Sequence, residues 1–318
     1  MRVAATDLTV LAGGVGAARF LQGVCDCVDR SRITVVGNVG DDLDVHGLHV
    51  SPDLDTVLYT LTGEIDEERG WGVRGDTPRA LERARSLGAD AWFWLGDLDI
   101  GLHLARTGWL AAGEPLSAVT ERLGRALGLG LRLVPATDDP LRTMVELDAG
   151  EVDFQTYYVR RGHADAVRGL RFPGAESARP APGVIDALAA PVVVIAPSNP
   201  LISIGPILAV PGIRRALEQR PGRAVAVSPI VAGEALRGPA ADMLRTLGHD
   251  PSPVGVAALY AGLVDSLVID ERDAGLAPAI RRLGIEPVVA PAIMRDAASR
   301  RALAAAALEA GGLAVAVA

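Results

Sequence analysis

Four aspartates stand close together in the chain. Asp41 and Asp42 end the stretch Asn38-Val39-Gly40-Asp41-Asp42, and Asp53 and Asp55 lie in Ser51-Pro52-Asp53-Leu54-Asp55-Thr56. Carboxylates beside a bound diphosphate repel it unless a divalent cation lies between them. One or two carboxylates completed by waters and phosphate oxygens is the usual Mg²⁺ environment. Asp41, Asp42, Asp53 and Asp55 are therefore the candidate metal ligands and catalytic groups, and which of them serves as a base stays open. Asp53 or Asp55 could equally cap a helix beginning near Thr56. Capping does not need four carboxylates, which favours a metal for the cluster as a whole.

A phosphate cradle is the second candidate. Leu8–Ala12 reads as a strand and runs directly into Gly13-Gly14-Val15-Gly16. Glycines at this place let backbone N–H groups approach a phosphate, and the following helix N-terminus adds partial positive charge. Gly13, Gly14 and Gly16 carry that reading, although a tight strand–helix turn without ligand has the same composition. No Gly-Lys-Ser/Thr follows, so this is not a P-loop, and Arg19 stands where the dinucleotide fingerprint wants its last Gly or Ala. Two later apolar strands end in polar loops suited to a nucleotide. One carries Ser198, Asn199 and Ser203; the other begins at Ser228 and leads to Arg237-Gly238. Pro, Ser and Asn are also ordinary turn residues. A fourth group is Gly96-Asp97-Leu98-Asp99, with Trp71, Trp92 and Trp94 nearby. Stacked indoles would suit a flat aromatic ligand, and core packing is the plainer alternative. His46 and His49 lie near the acidic loop, but no His pair has metal-ligand spacing and no G-x-S-x-G elbow occurs.

The elements needed to position these groups follow from the pattern. Leu8–Ala12, a helix over about 17–28 and Ile33–Val36 form one βαβ unit. From Thr56 to about Leu127 the periodicity is mostly helical, with Thr77-Pro78 as a helix start. Ala91–Leu95 is a strand or a buried link. Leu131–Val134, Arg142–Leu147 and Val152–Val159 read as strands, the last two as a hairpin. Pro191–Ala196 and Ala224–Val227 are continuous apolar runs, the mark of strands buried on both faces. Leu267–Ile269 and Pro287–Ala290 are the last strands, before an Ala-rich helix over about 296–310. The expected fold is a single α/β domain over residues 1–318. It has a doubly wound, Rossmann-like, mostly parallel sheet and a largely helical insertion at about 56–130.

The net charge of -8 disfavours nucleic acid and anionic membranes as partners, so an anionic substrate needs a local trap. No run of roughly 20 apolar residues occurs. The opening apolar run is short and broken by Thr6 and Asp7, unlike a secretory leader. Cys25 and Cys27 match neither a C-x-x-C pair nor a zinc pattern. A cytoplasmic protein is expected.

Taken in order, LAGGVGAARFLQG, NVGDD, HGLHVSPDLDTVLYTLTG, RGWGVRGDT, WLGDLD, PATDDP, FQTYYVRR, APSNPLISIGPILAVPGIR and VSPIVAGEALRGPA resemble the 2-phospho-L-lactate transferases of coenzyme F420 biosynthesis, including their phosphoenolpyruvyl-using branch. The resemblance spans about residues 8–270. It implies a donor in which a three-carbon acid is joined through a diphosphate to guanosine. The ribityl hydroxyl of the deazaflavin Fo attacks the phosphorus next to that acid and GMP leaves, with Mg²⁺ required. It also implies a homodimer, and an acceptor site involving Asp53, Trp71, Asp97 and Arg106. Relatives tend to place a cation in or just after the G-D-x-D segment, where this chain has Leu98 and Ile100. Arg74 or Arg106 is the expected substitute, with more of the acceptor's hold coming from stacking. The alternative is a non-catalytic nucleotide or nucleotide-sugar-binding regulator on the same fold. A nicotinamide dehydrogenase is disfavoured, because Asn38 stands where the ribose-binding acid belongs. Whether the acid is lactate, enolpyruvate or glycerate is open.

Overall fold

The computed structural model describes residues 6–236 and 238–315. Its centre is a seven-stranded sheet of β1 (Leu8–Ala12), β2 (Ile33–Gly37), β3 (Arg132–Pro135), β4 (Val192–Ile195), β5 (Arg223–Val227), β6 (Ser266–Ile269) and β7 (Glu286–Val289). The spatial order is β7-β6-β5-β4-β1-β2-β3, and every neighbouring pair is parallel. β1, β2 and β4 are buried at every residue, as continuous Val/Ile/Leu runs require when helices cover both faces. The mostly parallel α/β sheet expected from the sequence is the one observed. The chain enters at β1, runs outward through β2 to β3, then returns to β4 on the other side of β1. The crevice at the carboxyl ends of β1 and β4 is thus the switch point where such sheets take ligands.

Helix α1 (Gly14–Cys25) begins three residues earlier than its pattern indicated, because the turn glycines themselves enter the first turn. It packs between α2 (Pro52–Thr62) and the C-terminal helix. A Cβ on Gly23 would come within 2.2 Å of the Arg300 carbonyl oxygen, so α1 and the C-terminal helix touch backbone to backbone.

Between β2 and β3 the chain first makes a small hairpin, Leu43–Val45 with Leu48–Val50, that the sequence did not announce. Its turn holds His46 at φ 54° and Gly47 at φ 77°. This is a tight two-residue hairpin turn with an unusual histidine in the first position. Helix α2 starts at Pro52, not near Thr56, with Leu54, Val57, Leu58 and Leu61 in the main core. Helices α3 (Arg79–Ser86), α4 (Asp97–Ala111) and α5 (Leu116–Ala126) follow. Ala91–Leu95 is an irregular link, buried at Ala91 and Leu95 and half-buried at the three aromatic residues between them. A second antiparallel unit joins Met144–Leu147 to Gly150–Asp153 and to Gly169–Arg171. The expected strand over Val152–Val159 ends at Asp153. The Asp153 carboxylate accepts from the backbone N–H and hydroxyl of Thr156, turning 156–160 into a short helical bend. That local cap overrides the β propensity of the tyrosines and valine. The closing helix α6 (Ala297–Ala310) carries a capping box between Asp296 and Ser299. Among the described residues no helix is long and apolar enough to cross a membrane.

Candidate functional site

The switch-point crevice is a cleft of about 650 Å³, and the glycine turn forms its floor. Gly13 is enforced by crowding: a Cβ there would lie 2.7 Å from Asp53 Oδ2 and 2.7 Å from Ser203 Cβ. Gly14 has φ 75°, in the left-handed region that favours glycine. The backbone of Pro197 passes over Gly16, leaving no room for a side chain. The Ser198 hydroxyl ties the loop after β4 to the turn, accepting from Gly13 N–H at 3.2 Å and donating to the Gly13 carbonyl at 2.9 Å. Asn199 lines the cleft, but its Oδ1 accepts from the Leu201 N–H at 2.9 Å, so it mainly shapes the loop. Ser203 also lines the cleft.

The second loop contributes less than expected. Ser228 is buried away from the cleft, and its hydroxyl is engaged by the backbone of Ile230. Gly238 lines the cleft with Pro229 and Pro239, and Arg237 lies outside the described residues.

The four aspartates are all buried, and they separate into different roles. Asp41 and Asp53 line the cleft. Asp53 accepts from Asn38 Nδ2 at 2.9 Å and from the Gly14 N–H. Burial, against the lowering by those bonds, holds its carboxyl up at about 6. Asp41 is pushed well above the usual carboxylate range by burial and then by the charge of Asp53. Its Oδ1 has no hydrogen-bond partner among the described residues. Asp42 points elsewhere. It accepts from the Ser51 hydroxyl at 2.9 Å and faces His49 Nε2 at 3.4 Å. Although burial opposes it, Asp42 and Asp44 raise the pKa of His49. Asp55 borders the cleft, yet both its oxygens are held by the guanidinium of Arg106.

The pair Asp41 and Asp53 fits a divalent cation. Two carboxylates lie together, no cationic side chain among the described residues pairs with either, and one oxygen is unpartnered. Among the described residues no group of three His, Cys, Asp or Glu side chains converges on one point. A cation here would complete its shell with waters and phosphate oxygens, the habit of Mg²⁺.

Part of the cleft lining is aromatic: Trp71, Phe93, Trp94 and Tyr158 contribute to it. Trp71 and Trp94 meet edge to face at 5.1 Å instead of stacking, and the Arg69 guanidinium sits 4.7 Å over Trp94. Trp92 lies behind this wall against Phe93.

The expected acceptor residues need correction. Asp97 does not face the cleft: its carboxylate takes the Thr77 hydroxyl and the Ala80 N–H, capping α3. Arg106 is buried beneath the floor and committed to Asp55, so it offers no free charge. Arg74 is bonded to the Gly63 carbonyl. Leu98 is exposed outside the cleft, and Ile100 packs against the hairpin cluster.

Tyr59 and His103 line the cleft without having been singled out from the sequence, and Asp99, part of the Gly96–Asp99 motif, had been given no role of its own. The signal was present, since Asp99, His103 and Arg106 recur at i, i+4 and i+7 on one face of α4. The Tyr59 hydroxyl donates to Asp99 Oδ1 at 2.6 Å, and His103 Nε2 lies 3.0 Å from the same oxygen. Ile293 and Met294 also line the cleft, and the Met294 carbonyl accepts from Arg19 Nη2 at 2.6 Å.

Comparison with known proteins adds independent findings. The sequence model of the family described as 2-phospho-L-lactate transferase CofD matches residues 8–294. A phosphoenolpyruvate transferase of Streptomyces griseus is 43% identical over 309 residues, covering 95% of this chain and 97% of the relative. A phosphoenolpyruvate transferase of Thermobifida fusca is 43% identical, with the same coverage of each. One from Mycolicibacterium smegmatis is 38% identical, covering 96% of this chain and 99% of its own. A solved Bacillus halodurans structure of the UPF0052 family superposes with a TM-score of 0.60 at 18% identity, covering 90% of this chain and 93% of that one. At that identity the likeness concerns the fold.

Proposed function

The chain belongs to the 2-phospho-L-lactate transferase family, and from that premise we propose that it transfers a phosphoenolpyruvyl group from a guanosine-diphosphate-linked donor to the ribityl hydroxyl of Fo, releasing GMP, in coenzyme F420 biosynthesis. The choice of enolpyruvate over lactate follows the names of the relatives at 38–43% identity. The observation that carries the reading is the composition of the one cleft. A backbone phosphate cradle, a carboxylate pair with no cationic partner among the described residues and an aromatic wall open into the same space.

Each part has a task. The N-terminus of α1, whose N-cap residue Gly13 offers no side chain, receives the diphosphate. Asp41 and Asp53 would hold Mg²⁺, which when bound neutralises the charge of the diphosphate. The loops carrying Ser203 and Gly238 flank the nucleoside. Trp71, Trp94 and Tyr158 bind the flat deazaflavin and aim its ribityl chain at the phosphate end. Transfer at phosphorus asks mainly for positioning and charge neutralisation, so this set is chemically sufficient. Calorimetry with GDP and ADP, each with and without Mg²⁺, tests the donor half. The expected result is tighter, Mg²⁺-dependent binding of GDP. Equal affinities, or indifference to Mg²⁺, would count against it.

A further inference from the structure

We propose that Asp99 is the group that takes the proton from the attacking hydroxyl of the acceptor, held for that task by Tyr59. The inference rests on the transferase reading and on how the cleft distributes its carboxylates.

Four carboxylates border the cleft: the transferase reading gives Asp41 and Asp53 to the cation, and Asp55 is held by a guanidinium, which leaves Asp99. Asp53 is drawn to the phosphate end by Gly14 N–H and Asn38. Asp41 lies with it, close enough for the two charges to repel. Asp55 has both oxygens in the fork of Arg106. Asp99 sits instead on α4, four residues after the aromatic link that ends in Leu95, with Tyr59 on its other side. Only Oδ1 is engaged: the Tyr59 hydroxyl donates to it at 2.6 Å and His103 Nε2 lies 3.0 Å away. No protein group among the described residues bonds to Oδ2, and the side chain retains 10% exposure. The backbone N–H of Asp99 is fixed at 3.1 Å by Asp76, whose carboxylate fills the space where Gly96 has no side chain. A cleft-lining carboxylate anchored at one oxygen and open at the other has the geometry of a base for an alcohol.

The step balances without a further reactant. Asp99 Oδ2 takes the hydroxyl proton as the ribityl oxygen bonds to the phosphorus next to the three-carbon acid. The bond from that phosphorus to the bridging oxygen breaks, and its electron pair leaves with GMP. The proton passes from Asp99 to solvent when the product departs. Tyr59 is a positioning residue: its hydroxyl fixes which oxygen of Asp99 faces the acceptor.

The test compares wild-type protein with Asp99→Asn in a steady-state assay with Mg²⁺, Fo and the guanylated enolpyruvyl donor. The expected result is a loss in kcat of about 100-fold or more, with KM for Fo and affinity for GDP within about threefold. A kcat within about threefold of wild type overturns the proposal. Should Asp99→Asn fail to fold, Tyr59→Phe replaces it. The variant must keep the wild-type melting temperature and GDP affinity while kcat falls by about tenfold at unchanged KM. An unchanged kcat in that variant also overturns the proposal. A wild-type protein that forms no product sinks the transferase reading itself, whereas an active wild type with an equally active Asp99→Asn sinks only the base.

Discussion

Arg106→Met removes one half of a fully buried ion pair and leaves Asp55 charged beneath the cleft floor. Arg106 is 1% exposed, and its two terminal nitrogens grip both oxygens of Asp55. His103 Nδ1, 3.8 Å from Asp55, cannot replace a fork of that kind. Breaking a buried pair on one side costs about 3–5 kcal/mol, because the remaining charge has neither water nor partner. An unfolding entropy of ~2.1 cal/mol/K per residue gives about 0.67 kcal/mol/K for a chain of this length, so the melting temperature should fall by about 4.5–7.5 °C. Asp55→Asn alone should fall by a similar amount, since it strands Arg106. The double variant Arg106→Met, Asp55→Asn carries no stranded charge and should recover to within about 1–2 kcal/mol of wild type. It should also retain Mg²⁺-dependent GDP binding, because Asp55 serves here as an anchor. The assay is differential scanning calorimetry of the four proteins at one pH. A single variant melting within about 2 °C of wild type would refute the reasoning. So would a double variant as unstable as either single one.

Three other outcomes follow from the cleft. Ser198→Ala leaves the Gly13 N–H without its acceptor, so it should cost about 1–3 kcal/mol and weaken GDP binding; unchanged denaturation midpoints would show that the bond contributes nothing. Trp71→Ala should weaken Fo binding by roughly 2–10-fold while leaving GDP affinity intact, as read by fluorescence titration, and a parallel loss of GDP affinity would contradict the division of the cleft between donor and acceptor. Asp53 has its folded pKa raised, to about 6, chiefly by burial. Its ionisation therefore opposes folding: the penalty is absent below the unfolded value near 3.8 and grows as pH rises through about 6. Asp53→Asn should accordingly be more stable than wild type at pH 7 without Mg²⁺, with the difference closing towards pH 4. A variant that is less stable at pH 7 and equal at pH 4 would reverse the sign and show that the charge is compensated.

The sequence made the sheet and the phosphate cradle legible for one reason: both are local. A parallel strand buried on both faces writes itself as a run of Val and Ile, and the glycines after β1 occupy positions where no side chain fits. Roles that depend on tertiary partners were not legible. Asp97 and Asp99 are two residues apart on one helix, and only the fold reveals that Asp97 caps α3 while Asp99 enters the cleft. Arg106 reads as a free cation until Asp55 is seen across 51 residues of chain. The bend at 156–160 escaped because one capping carboxylate, Asp153, outweighs the strand preference of the residues after it. The hairpin at 43–50 escaped because its strands are three residues long and His46 stands where Asn or Asp usually marks such a turn. Tyr59, Asp99 and His103 were spelled out by helical spacing, yet an Asp–His–Arg face has no meaning until the aromatic link is folded over it.

The most direct test of the account is a single-turnover experiment with excess protein, Mg²⁺, Fo and guanylated enolpyruvyl donor, followed by mass spectrometry of the quenched mixture. The account predicts one GMP released for each Fo converted to its phosphodiester with the three-carbon acid, and neither product when Mg²⁺ is chelated. GMP released without any modified Fo, or no turnover with a donor that nevertheless binds, would contradict it.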